Sequence, residues 1–183
     1  MSHPMPMRRR VANLAFAAAL LALTGCTFAP ANPGAATTST ATAGPRPTPI
    51  GPTERGHVAF VTDGDTVRVD FGFESERVRF VGINAPERGE AGYDEARDEV
   101  VRLVDAREVV LERDVSERDQ YGRLLRYVWV DDGRGGLVLV NLLLVEGGFA
   151  RARVYGPDDR YAAIFANAQQ RAKDARLGIW ASR

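Results

Sequence analysis

The chain has 183 residues with 24 Lys/Arg, 24 Asp/Glu, two histidines and one cysteine, and is formally neutral at pH 7. A single cysteine excludes a disulfide framework, and His3 and His57 exclude chemistry that needs a working histidine pair, such as a zinc hydrolase or a phosphohistidine enzyme. Five bases (Arg8, Arg9, Arg10, Arg46, Arg55) but only one acid (Glu54) precede residue 56, so residues 56–183 carry 19 bases against 23 acids, a net charge near −4 that disfavours indiscriminate binding to polyanions.

The first element is a leader. Arg8, Arg9 and Arg10 precede an apolar run from Val11 to Leu23, which closes on Leu23-Thr24-Gly25-Cys26. A basic start, a short apolar stretch and small residues at the exit describe an export signal, and the run is too short for an ordinary membrane-spanning helix. Its last four residues resemble the bacterial lipobox, which implies a lipoprotein-type signal over 1–25 and lipid attachment at Cys26. The protein is then expected to be exported, extracytoplasmic and held on the cell envelope through a lipid anchor. A plain signal peptide with an incidental cysteine is the alternative. Residues 26–55 are rich in Ala, Thr, Pro and Gly and cannot bury enough surface to offset their ordering entropy, so a flexible linker is expected there. Residues 56–183 form one domain, large enough for a single core.

Within that domain, Val58–Val61 reads as a strand and Asp63-Gly64 as a tight turn. Val67, Val69 and Phe71 alternate with polar residues, as do Val78 and Phe80 against Arg77 and Arg79, so three strands form a meander. Ala96, Val100, Leu103 and Val104 fall at helical spacing and predict a helix over 92–106. Val109–Leu111 and Leu124–Val130 read as two further strands. Asn141–Glu146, stopped by Gly147-Gly148, predicts a short buried helix. Tyr161, Ile164, Phe165, Ala168 and Ala172 form the stripe of a last helix, started by Asp158 or Asp159. The order predicts an α+β domain: a five-stranded OB-fold-type β-barrel with three α-helices.

The side chains left for chemistry are carboxylates, arginines and tyrosines. They concentrate in "TDGDTVRV", with Asp65 after a turn; in "RVRFVGINAPE", with Arg79 and Glu87; and in "DQYGRLLRY", with Arg123 after a glycine. Each has a bland explanation alone: a turn, a paired arginine, a turn into a strand. Together they resemble the thermonuclease, or staphylococcal nuclease-like, family. The resemblance rests on Asp63-Gly64-Asp65-Thr66, on Arg79 followed eight residues later by Glu87, on Tyr121-Gly122-Arg123, on Asn141, on Gly148-Phe149-Ala150 and on Leu177-Gly178-Ile179-Trp180. It spans nearly all of 56–180.

That resemblance implies a Ca²⁺-dependent endonuclease that hydrolyses single-stranded or denatured DNA and RNA to 3′-phosphate products. It implies Glu87 as general base and Arg79 and Arg123 as grips on the scissile phosphate. It also implies Asp65, Asn84 and the Ala85 carbonyl as calcium ligands, with Tyr121 and Tyr155 beside the substrate. Two departures stand out. The family offers an aspartate where this chain has Asn84, which lowers the site's negative charge unless Asn84 merely caps the turn before Pro86. The stretch Arg151–Pro157 looks one residue short and keeps only Tyr155 of two tyrosines. The segment after Glu87 also looks trimmed. A non-catalytic OB-fold binding lipoprotein is the competing expectation, and no oligomer interface is marked, so a monomer is expected.

Overall fold

The computed structural model describes residues 46–181. The leader and Cys26 lie outside them. Among the described residues eight strands occur: β1 (Thr53–Val61), β2 (Thr66–Phe71), β3 (Glu74–Phe80), β4 (Ile83–Asn84), β5 (Glu108–Glu112), β6 (Leu124–Asp131), β7 (Leu137–Leu139) and β8 (Arg151–Ala152). Three α-helices join them: α1 (Tyr93–Val104), α2 (Val140–Glu146) and α3 (Ala162–Asp174), followed by a 3₁₀ turn at Gly178–Trp180.

The main sheet runs β3-β2-β1-β5-β6-β7, and a parallel pairing of β3 with β6 closes its first five strands into a barrel. This is the expected five-stranded barrel with three helices. Alternation along β2 turns Val67 and Val69 into the interior, and a register shift in β1 between Val58 and Phe60 lets both Val58 and Val61 point there, where they meet Val78, Phe80 and Leu111. Helices cover the open side. Ala96, Val100, Leu103 and Val104 are the buried face of α1, and Phe165, Ala168 and Ala172 that of α3. Asn141, fully buried at the start of α2, locks that helix to the barrel: its Oδ1 accepts the Val128 N–H (2.9 Å) and its Nδ2 donates to the Val81 carbonyl (2.8 Å).

The structure differs from the sequence reading in three places. β1 begins at Thr53, inside the stretch read as linker, and residues 50 and 51 donate their N–H groups to Glu112 Oε1 at 3.0 and 2.7 Å. Glu112 is completely buried, yet it also accepts from Trp129 Nε1 (2.9 Å), Arg160 Nη1 (2.9 Å) and the Tyr161 hydroxyl (3.0 Å). A buried carboxylate is tolerated when this fully hydrogen-bonded. Second, neither Asp158 nor Asp159 gives α3 a side-chain cap; Tyr161 precedes the helix, and the Asp158 carboxylate is spent elsewhere. Third, β4, β7 and β8 were not anticipated. β4 and β8 pair with each other in a separate ribbon, Ile83 opposite Ala152 and Asn84 opposite Arg151.

Candidate active site

Arg79 lies at the seam where the barrel closes, opposite Thr66 on β2 and Leu125 on β6. It is 9% exposed, so its charge needs compensation at close range. Asp65 supplies it: Nη2 lies 3.1 Å from Asp65 Oδ2, while Nη1 donates to the Phe80 carbonyl at 2.7 Å. Asp65 itself follows the turn at Gly64. A Cβ at Gly64 would stand 2.7 Å from that of Ala85 and 2.8 Å from that of Ala96, so a glycine lets this turn close onto β4 and α1. The closeness brings the Ala85 N–H within 2.8 Å of Asp65 Oδ2.

Burial pushes the Asp65 carboxyl up to about 6, against the lowering by Arg79 and by the Ala85 N–H, with Asp63 adding a smaller upward push. Asp63 also shapes the turn, accepting the Asp65 N–H at 3.0 Å.

Arg123, immediately before β6, reaches the same seam. Asp119 holds it: Arg123 Nε lies 2.7 Å from Asp119 Oδ2, while Asp119 Oδ1 accepts the backbone N–H groups of Tyr121 (2.9 Å) and Arg123 (3.0 Å). Burial acts to raise the Asp119 carboxyl, but these donors outweigh it and hold it below the usual carboxylate range. Arg123 Nη1 reaches Thr66 Oγ1 at 3.5 Å, and Thr66 donates to Asp65 Oδ1 at 3.2 Å, so a polar chain crosses the cleft floor. The 113–123 loop is tied down from behind. Buried Asp158 accepts the N–H groups of Val115 (3.0 Å) and Ser116 (2.8 Å), and Asp114 accepts the Tyr127 hydroxyl (3.1 Å) and the Arg160 N–H (3.0 Å).

A cleft of about 490 Å³ joins these groups, and Asp65, Arg79, Asn84, Glu87, Tyr121, Arg123 and Tyr155 all line it. Seven of the eight residues singled out within the domain thus share one wall-to-wall site. Ala85 does not line the cleft and is buried, its carbonyl accepting from Asn84 Nδ2 at 3.3 Å. Asn84 Oδ1 accepts from Arg79 Nη2 (3.2 Å) and from the Tyr155 hydroxyl (3.3 Å). Glu87 is exposed on the cleft rim, and its carboxylate has no hydrogen-bond or ion-pair partner among the described residues. Tyr121 and Tyr155 are also exposed, each with an arginine over its ring: Arg123 at 5.5 Å and Arg153 at 5.3 Å. Asp63, Asp119 and Asp158 also line it, with Phe80, Val81, Gln120 and Leu125, and these three acids were missed as site residues. The i, i+4 spacing of Asp119 and Arg123 was the one signal available for them.

The donors that could hold a metal are all oxygens. Among the described residues no group of three or more His, Cys, Asp or Glu side chains could hold a metal ion, so a cation here would rely on Asp65 together with the Asn84 amide, the Ala85 carbonyl and water. That donor chemistry fits a hard divalent cation and not zinc or copper. Two arginines and an uncommitted carboxylate lining one open cleft can grip a tetrahedral oxyanion while the carboxylate takes a proton from water.

Comparison with known proteins gives the same direction. The profile of the family described as Staphylococcal nuclease homologue matches residues 77–182. A thermonuclease of Staphylococcus intermedius is 36% identical over 127 residues, covering 66% of this chain and 72% of its own length. A micrococcal nuclease of Shigella flexneri is 37% identical over 133 residues, covering 69% and 73%. The endonuclease YncB of Bacillus subtilis is 34% identical over 125 residues, covering 64% and 57%.

Proposed function

The chain belongs to the staphylococcal nuclease family, and on that premise we propose that its barrel domain is a calcium-dependent nuclease that hydrolyses single-stranded or denatured DNA and RNA to 3′-phosphate products. The observation that carries the reading is the convergence of Arg79, Arg123 and Glu87 on one cleft, with Glu87 left unpaired.

Glu87 draws a proton from a water molecule as that water attacks phosphorus. The bond from phosphorus to the 5′ oxygen breaks, the phosphate stays on the 3′ oxygen, and the departing 5′ oxygen takes up a proton and leaves as a hydroxyl. Arg79 and Arg123, which line the same cleft, donate to the non-bridging oxygens as their charge grows. Planar guanidinium groups fixed by Asp65 and Asp119 need no reorganisation at that moment. Calcium, when bound at Asp65 with Asn84 and Ala85, supplies further positive charge beside the scissile phosphate. Tyr121 and Tyr155 offer aromatic faces on which unpaired bases stack, which favours single strands over intact duplex. The domain acts as a monomer.

Export and anchoring are part of the same reading. The basic-apolar-small pattern of residues 8–26 supports cleavage before Cys26 and lipidation of its thiol, placing the nuclease outside the cytoplasm on the envelope. In a producing bacterium, Cys26→Ser moves the protein from the membrane fraction to the soluble fraction; equal partition of both forms contradicts the anchor.

The product ends test the chemistry. Fragments of denatured DNA and of RNA should be poor primers for polymerase until a phosphatase removes a 3′-phosphate. Fragments that prime at once contradict the proposed bond cleavage.

A further inference from the structure

Beyond the cleft, β8 and the residues after it place Arg151, Arg153 and Tyr155 at alternate positions. Asn84 and Arg151 are directly opposed in the β4–β8 ribbon and so share its face, and Arg153 follows on that face, its N–H bonded to the Gly82 carbonyl at 2.9 Å. Asn84 faces the cleft through Arg79 and Tyr155. Tyr155 lines the cleft, and the Arg153 guanidinium lies 5.3 Å from the centre of its ring, so Arg153 is the cation beside the cleft.

The Arg151 side chain does not line the cleft; its guanidinium lies 5.6 Å, and the Lys173 ammonium 4.7 Å, from the centre of the Trp180 ring. The indole draws two cations together and fixes their positions. Arg151, Arg153 and Lys173 are exposed, and none has an ion-pair partner among the described residues. By contrast, Arg79, Arg123, Arg126 and Arg160 are all paired with carboxylates. A domain with net charge near −4 thus leaves three uncompensated cations side by side on one edge.

We propose that this edge is an accessory track for the nucleic-acid strand leaving the cleft, with successive phosphates on Arg153 and then on the Arg151/Lys173 pair. Alternate positions on a strand are about 6.7 Å apart, a step that matches the phosphate repeat of an extended single strand. The contacts are to backbone phosphate, so the track favours length and not sequence. It also answers how an acidic domain retains a polyanion: the attraction is local. The inference rests on the nuclease reading of the cleft.

The test uses the full chain carrying Glu87→Gln, which holds substrate without cutting it, in millimolar calcium. Fluorescence anisotropy reads binding of labelled oligo-dT, one ligand long and one of three nucleotides, across a salt series. Changing Arg151 and Lys173 together to glutamine should weaken the long ligand several-fold and flatten its salt dependence by about 1.4 log units per log unit of salt. The short ligand should be unaffected, which also shows that the cleft is folded. Arg153→Gln should act in the same direction, the charge-preserving Arg151→Lys should not, and Arg134→Gln on the β6–β7 turn should change nothing. Equal binding and equal salt slope with and without Arg151 and Lys173, the short ligand still binding, would overturn the track and leave the nuclease standing. Binding of neither ligand before any cation is removed would overturn both.

Discussion

Arg79 Nη2 lies 3.1 Å from Asp65 Oδ2 in a setting where both side chains are about nine-tenths buried. Each charge is what makes the other tolerable, so the phosphate grip is assembled in advance and stands ready at the barrel seam. Removing one member strands its partner. Arg79→Ala should destabilise the fold by about 3 kcal/mol at pH 7 in urea denaturation, and lower cleavage on the order of 10²-fold or more. An arginine with no role in either would leave both unchanged.

The same pair sets a pH dependence. Burial raises Asp65 to about 6, above its ordinary value of 3.8, so the folded protein binds the extra proton and the unfolded chain does not. The sign follows: below pH 3.8 Asp65 costs the fold nothing, and its cost grows as pH rises through about 6. In calcium-free buffer, native protein should lose stability relative to Asp65→Asn between about pH 4 and 7, by an amount on the order of 3 kcal/mol, and the difference should be flat above. Parallel stability curves across that range would refute the raised value.

Much of the barrel was legible because its strands alternate and its turns carry Asp-Gly and Gly. The helix stripes of α1 and α3 were equally plain. Apart from the short β7, which pairs locally with β6, what escaped were elements whose cause is distant in sequence. β4 and β8 are two residues each, too short for any period to show, and exist because segments 67 residues apart in sequence (Asn84 to Arg151) meet in space. Glu112 ends a strand and looks like a surface acid. Its burial comes from partners 17 to 62 residues away, at Trp129, Arg160, Tyr161 and the backbone of residues 50 and 51. Asp158 has the position of a helix cap, but two N–H groups of the 113–123 loop compete for it and win. In the site, the reacting groups could be found by their type and order. The residues that hold them could not, except where spacing was local, as for Asp119 and Arg123.

Asp119 is a positioning residue for Arg123, and its value should appear in turnover. Asp119→Ala frees the guanidinium to swing and should lower kcat/KM for denatured DNA by about 10- to 100-fold, with Arg123 still present. Asp119→Asn keeps an acceptor for Tyr121 and Arg123 N–H groups and should fall between. Steady-state kinetics of the three proteins checks the order, and an alanine variant as active as the parent would contradict it.

Asn84 lowers the charge of the proposed calcium site while its Oδ1 is occupied by Arg79 and Tyr155. Asn84→Asp restores the missing charge. Calcium affinity measured by isothermal titration should tighten on the order of tenfold. Unchanged affinity would place the cation away from Asn84.

The central claim is that Arg79, Glu87 and Arg123 form a working phosphodiesterase site. The most direct measurement is hydrolysis of denatured DNA by the native protein in millimolar calcium, then with chelator, beside Glu87→Gln. The account predicts cleavage that needs calcium and falls on the order of 10²- to 10⁴-fold in the glutamine variant. Undiminished cleavage by Glu87→Gln, or a folded protein that binds single strands in calcium and never cuts them, would contradict it.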